Sequence, residues 1–207
     1  MKPTVIIAEA GVNHNGSVEM ARQMIHAAAN AGADYVKFQT FNARNLVVAD
    51  AEKAEYQKQN CGENDSQLEM LKNLELSATG FELLAHECRE AGIGFMSTPF
   101  DLESVDLLAA IGQDFWKIPS GEITNLPLLR KIGALNSNII LSTGMSTQKE
   151  VEEAVDAIEK AGTDRSKIIL LHCTTQYPAP YSSVNLRAME SLAALGCGAV
   201  GYSDHTQ

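Results

Sequence analysis

Along the chain, short runs of branched and aromatic apolar residues alternate with stretches whose apolar residues recur every three or four positions. The first pattern fits a strand covered on both faces, the second an amphipathic helix. "TVIIAEAG" (4–11) reads as the first strand, and Ser17 then caps a helix running to about Ala31 and closed by Gly32. "ADYVKFQT" (33–40) is the second strand, and after a long interruption Ser77 opens a helix ending at "EAG" (90–92). "IGFMSTP" (93–99) is the third strand, followed by a helix over 102–112; "DFWKIPS" (114–120) is the fourth, followed by "LPLLRKIGAL" with proline in its first turn. "SNIILSTG" (137–144) is the fifth. Thr147 and Glu150 then make a capping box, and Val151, Ala154, Val155 and Ile158 form one buried helical face. "KIILLHC" (167–173), a helix over 184–196 and "GAVGYSD" (198–204) complete the pattern.

Repeated strand–helix units of this size fit two architectures, an open doubly wound sheet or a (β/α)8 TIM barrel. The first strand–helix turn lacks the G-x-G-x-x-G fingerprint of dinucleotide binding, which weakens the first option. A complete barrel takes about 250 residues. With seven strands read in 207 residues, the expectation is one incomplete barrel domain over 1–207, cut before its eighth strand. The interruption at 41–76 exceeds an ordinary loop. Its second part, "SQLEMLKNLEL", has helical spacing, and the segment reads equally as a wall of the site or as a solvated excursion.

Composition narrows the classes of function. The net charge is −10 without any Lys/Arg-rich block, which argues against nucleic acids and acidic membranes as partners. No apolar run approaches the roughly 20 residues of a membrane span, and the N-terminal apolar run is too short for a signal peptide, so a cytoplasmic protein is expected. Cys61, Cys88, Cys173 and Cys197 show no C-x-x-C spacing. Cys173 lies inside an apolar strand and reads as a small core residue rather than a nucleophile.

Polar residues concentrate where the strands end: Glu9; Lys37 and Gln39; Ser97 and Thr98; Lys117, Ser120 and Glu122; Ser142 and Thr143; His172, Thr175 and Tyr177; Ser203, Asp204 and His205. In α/β barrels that face carries the chemistry. Lys37 and Lys117 sit inside apolar strands, where a cation must be paired or deprotonated. One such lysine would be read as the partner of a structural carboxylate such as Glu9 or Glu122. Two at equivalent depth, with hydroxyls around them, favour a phosphate or carboxylate ligand, with a Schiff base as the second chemistry. His172 reads as a core or supporting residue, whereas His205, at the rim beside Asp204, fits a metal-ligand or acid–base role. A single histidine does not make a metal site. His14 either borders the site or serves the helix after it; His26 and His86 fall on outer helix faces.

Ten stretches, among them "IIAEAGVNHNGS", "VKFQTF", "KAEYQKQN", "STPFDLESVDLL", "WKIPSGEITNLPLL", "ILSTGM", "LLHCTTQYPAP" and "GYSDHT", together resemble the bacterial sialic acid synthase family. Its members include N-acetylneuraminate synthase and the legionaminate synthases, and the resemblance runs from Val5 to Thr206 in order and spacing. It implies a (β/α)8 barrel followed by a small antifreeze-like domain, acting as a homodimer. It implies condensation of phosphoenolpyruvate with an open-chain N-acetylmannosamine-type sugar, or with the 2,4-diacetamido-2,4,6-trideoxymannose of legionaminate synthesis. Carbon 3 of phosphoenolpyruvate attacks the aldehyde, water adds to carbon 2, and phosphate leaves by C–O cleavage. A divalent metal, usually Mn²⁺, is required. By the same resemblance Lys37, Thr98, Lys117, Ser120, Ser142, Thr175 and Ser203 take phosphoenolpyruvate, Thr175 standing where some relatives have asparagine. Glu9 orients water and sugar, Gln39, Glu122 and Tyr177 lie on the sugar side, and His205 is one of two metal histidines. The second histidine and the antifreeze-like domain are expected beyond residue 207, so the 207-residue piece alone is expected to be inactive. A non-catalytic anion-binding barrel is the competing class. A synthase acting on a phosphorylated aldose would need a further basic cluster.

Overall fold

The computed structural model describes residues 3–47 and 66–207. The reading of "KAEYQKQN" and the middle of the interruption, 48–65, therefore lie outside the described residues, while the helical spacing of "SQLEMLKNLEL" is borne out by a helix at Gln67–Leu74. The chain forms two compact units, Met1–Gln113 and Asp114–Gln207.

In the first unit, β1 (Ile7–Gly11), β2 (Tyr35–Thr40) and β3 (Gly94–Pro99) form a parallel sheet in that order. Partners across a parallel ladder share a face. Glu9 pairs with Lys37, and Gln39 with Thr98, which puts these four on one face. Phe38 and Phe95 point the other way and meet ring to ring at 6.3 Å under the helices. The β1–β2 register slips between Glu9 and Gly11, and Gly11 has a φ of +55°. That bulge ends the strand and turns the chain away from the sheet. Helix α1 (Val18–Asn30) is opened by Ser17, whose hydroxyl accepts the Met20 N–H. The short helices α2 (Ala43–Leu46) and α3 (Gln67–Leu74) follow. Helix α4 (Ala78–Ala91) is capped by Ser17's counterpart Ser77 and closed by left-handed Gly92, and it packs on α1. Buried Asp101 caps α5 (Leu102–Ile111) and also accepts the Asn42 N–H at 2.8 Å, tying the loop after β2 to the helix after β3.

The second unit repeats the plan with β4 (Phe115–Ile118), β5 (Asn138–Ser142), β6 (Ile168–Cys173) and β7 (Ala199–Ser203), again parallel and in chain order. Helices α6 (Leu126–Gly133) and α7 (Gln148–Ala161) pack closely on each other. A Cβ on Gly133 would lie 2.8 Å from the Ile158 carbonyl, so only glycine allows the approach. The capping box forms as the sequence implies, and Val151, Ala154, Val155 and Ile158 are all buried. The helix expected over 184–196 is shorter. Residues Tyr181–Ser183 form a 3-10 turn, Asn185 takes a φ of +48°, and α8 spans only Ala188–Ala193. A left-handed residue cannot continue an α-helix, and Arg187 offers no side-chain cap. Strand β1 likewise starts at Ile7 rather than Thr4, because Ile6 bonds through its N–H to the Asp34 carboxylate instead of to a ladder.

Candidate active site

In the first unit, the strand ends bring a carboxylate and an ammonium together. Lys37 is 9 % exposed, and its Nζ forms an ion pair with Glu9 and lies 3.5 Å from the Thr98 hydroxyl. The Glu9 side chain is 52 % exposed and that of Lys37 11 %. A Cβ on Gly11 would stand 3.3 Å from Glu9 Oε1 and 3.8 Å from Gln39 Nε2, which places Glu9 and Gln39 around one glycine. The carboxylate partner weighed for a buried lysine is therefore present at Lys37. Ser97 faces the helix side, where its hydroxyl meets Thr40 at 2.6 Å. His14 is buried in the loop before α1; its Nδ1 accepts the Gly16 N–H at 3.1 Å, and burial lowers its pKa. It serves the turn into α1, while Ser17 makes the cap itself. His26 is exposed and pairs with Glu87 at 2.7 Å, and His86 is exposed.

In the second unit, Lys117 is 6 % exposed and donates to the Ser142 hydroxyl at 2.7 Å and to the Ile118 carbonyl at 2.9 Å. Ser120 and Glu122 lie in a 3-10 turn (Ser120–Glu122) after β4. Glu122 accepts from Asn125 Nδ2 at 2.7 Å, and Asn125 caps α6, so this carboxylate braces a helix start. Thr143 turns back to donate to the Leu171 carbonyl. Thr175 is half-buried, and its methyl would lie 2.8 Å from a Cβ on Gly144, so that glycine admits Thr175. Sequence reasoning did not single out Gly11 and Gly144. Their signal is a glycine two positions after a strand's last polar residue, Glu9 and Ser142.

His205 is half-buried at the end of β7, and its Nδ1 lies 2.5 Å from the Thr174 carbonyl. A carbonyl only accepts, so Nδ1 carries the proton and Nε2 of the neutral ring keeps its lone pair, 3.3 Å from the Ser203 hydroxyl. That tautomer is the one a metal-binding imidazole with a supporting carbonyl adopts. Among the described residues, however, no three His, Cys, Asp or Glu side chains gather as a metal-binding group. The residues present thus fit one ligand and not a whole site. The exposed Tyr177 ring stands 4.3 Å from the His205 ring, centroid to centroid. Asp204 accepts from the Thr206 N–H and from Tyr202, which holds its carboxyl below the usual range. His172 faces the helix side, with Nε2 2.6 Å from the Val184 carbonyl and its ring on Tyr202, as a supporting residue would. Cys173 is buried, and burial pushes the Cys88 thiol up to about 12, so Cys88 is an inert core residue. A groove of about 410 Å³ runs past Gly144, Met145, His172 and Leu192; neither Lys117 nor Ser142 lines it.

The chain matches the NeuB family over residues 24–207 and belongs to it. It is 54 % identical over its whole length to the N,N'-diacetyllegionaminic acid synthase of Campylobacter jejuni, covering 62 % of that protein. It is 51 % identical over 97 % of its length to the synthase of the same name from Legionella pneumophila, covering 57 % of it. The chain therefore spans about three fifths of the length of these relatives. A solved N-acetylneuraminic acid synthetase from Leptospira borgpetersenii, in complex with citrate, superposes with a TM-score of 0.84 at 34 % identity, over 99 % of this chain and 66 % of that one. The parallel strand–helix units are those of a partial (β/α) barrel. No helix among the described residues is long and apolar enough to cross a membrane.

Proposed function

We propose that the full-length protein condenses phosphoenolpyruvate with the open aldehyde form of an N-acetylated mannose-type sugar, giving a nine-carbon acid and phosphate. The observation that carries this reading is Lys117, a buried ammonium at a strand's end that donates to the Ser142 hydroxyl at 2.7 Å. A buried cation flanked by a hydroxyl suits an anion that brings both phosphate and carboxylate. Lys37 and Thr98 offer the same pair of groups in the first unit, and Ser120, Thr175 and Ser203 complete the proposed phosphoenolpyruvate set. Glu9 is the proposed carboxylate for water and sugar, with Gln39, Glu122 and Tyr177 on the sugar side. A divalent metal, Mn²⁺ by family resemblance, belongs to the proposal with His205 Nε2 as one ligand. When bound it supplies Lewis-acid polarisation of the aldehyde. The protein is proposed to act in the cytoplasm as a homodimer.

Of the two candidate sugars, 2,4-diacetamido-2,4,6-trideoxymannose is favoured over N-acetylmannosamine. What supports the choice is the gradient of identity, 54 % and 51 % to two legionaminic acid synthases against 34 % to the solved N-acetylneuraminic acid synthetase. The test incubates the full-length protein with phosphoenolpyruvate, Mn²⁺ and each sugar separately, following phosphate release with mass detection of the product. Release with the diacetamido sugar is expected. Release with N-acetylmannosamine alone would reverse the choice of sugar. Phosphoenolpyruvate binding without release from either would favour a binding role.

A further inference from the structure

We infer that the Glu9 carboxylate is a built-in competitor for the anion at Lys37, and that anion binding hands this carboxylate over for its part in the reaction. The inference rests on the phosphoenolpyruvate reading above. Lys37 is the buried member of the pair, with a side chain 11 % exposed, and Glu9 is the open one at 52 %. A buried ammonium cannot move to water without losing its compensation, whereas a half-exposed carboxylate moves at small cost. An arriving phosphate or carboxylate therefore displaces Glu9 rather than Lys37. The displaced group has a place to go. Gly11 leaves room beside Glu9 Oε1, and the Gln39 amide nitrogen borders the same space, 3.8 Å from where a Gly11 Cβ would stand. Gln39 can donate to the carboxylate that Lys37 releases. Glu9 and Lys37 are held in register across the β1–β2 ladder, so the exchange needs only side-chain rotation. The consequence is an order of events: the anion binds first, and Glu9 becomes available to the second substrate only afterwards.

The exchange predicts an effect opposite in sign to that of a residue that merely orients Lys37. In the full-length protein, Glu9→Gln should bind phosphoenolpyruvate about two- to tenfold more tightly than wild type by calorimetry, while turnover is lost. Its melting temperature without ligand should fall, and the rise on adding phosphoenolpyruvate should exceed that of wild type. Glu9→Ala serves as the second variant and should shift in the same direction. Weaker or unchanged binding in folded Glu9→Gln overturns the exchange while leaving the phosphoenolpyruvate reading intact. Absence of binding in wild type as well as in both variants overturns that reading and the exchange with it.

Discussion

Lys37 and Lys117 both lie inside strands of parallel sheets at nearly equal burial, and the hydroxyls beside them are held at different distances. Lys37 in the first unit has the carboxylate of Glu9 as an ion-pair partner, and the nearest hydroxyl, Thr98, is 3.5 Å away. Lys117 in the second unit holds a hydroxyl at 2.7 Å and a carbonyl at 2.9 Å, both dipoles. An arriving anion must compete with the Glu9 carboxylate at Lys37, whereas the hydroxyl held close to Lys117 is a group an anion can share with the ammonium. The lesson is that burial alone does not rank two lysines as ligand anchors. The displaceable carboxylate beside Lys37 makes it the adjustable anchor, and the hydroxyl held at 2.7 Å rather than 3.5 Å makes Lys117 the better organised one.

The comparison breaks most visibly in turnover. Lys117→Met keeps the length and buries no charge, and it should cut kcat by about 10²–10³-fold, as loss of one preorganised electrostatic group does. Lys37→Met should cost less, and steady-state kinetics with phosphate detection would show the ranking; a reversed order would undo it. Removing the dipole beside Lys117 by Ser142→Ala should raise KM for phosphoenolpyruvate about tenfold, the loss of one hydrogen bond to a charged group. Gly144→Ala should raise the same KM about three- to tenfold, because the new methyl overpacks Thr175 and Cys173. An unchanged KM there would mean that Thr175 makes no contact with the ligand.

The smallest effect is a control on stability. Thr147→Ala should lower unfolding free energy by about 1 kcal/mol through loss of the α7 cap, with turnover unchanged. The same cap gives a pH signature. The Thr147 backbone N–H and hydroxyl hold the Glu150 carboxyl below its ordinary 4.5. A depressed folded-state pKa gives stability that is present above the ordinary value and lost as the pH falls through the folded one. Denaturant melts should therefore show the wild type losing its margin over Glu150→Gln only below about pH 4.5.

The readings that hold rest on local signals. The capping box needs only residues 147 to 150, and the buried face of α7 needs only helical periodicity. Lys37 and Lys117 were legible because a lysine inside an apolar strand conflicts with its surroundings. Two lysines at equivalent depth favour an anion over a carboxylate partner on sequence alone. That Glu9 nonetheless pairs with Lys37 follows from a register that slips at Gly11 and joins residues 28 apart in sequence, beyond the reach of any local pattern. The His205 tautomer is fixed by the carbonyl of Thr174, 31 residues earlier, which no local pattern reports. The helix placed over 184–196 followed apolar spacing alone. The left-handed Asn185 and the missing N-cap, both backbone facts, cut it to Ala188–Ala193.

The most direct measurement titrates phosphoenolpyruvate into full-length wild type, Lys37→Met and Lys117→Met by calorimetry, with folding of each verified by its melting curve. The account predicts saturable binding to wild type, binding weakened about tenfold in Lys37→Met, and binding weakened about a hundredfold or more in Lys117→Met. Wild-type affinity retained in folded Lys117→Met would contradict it.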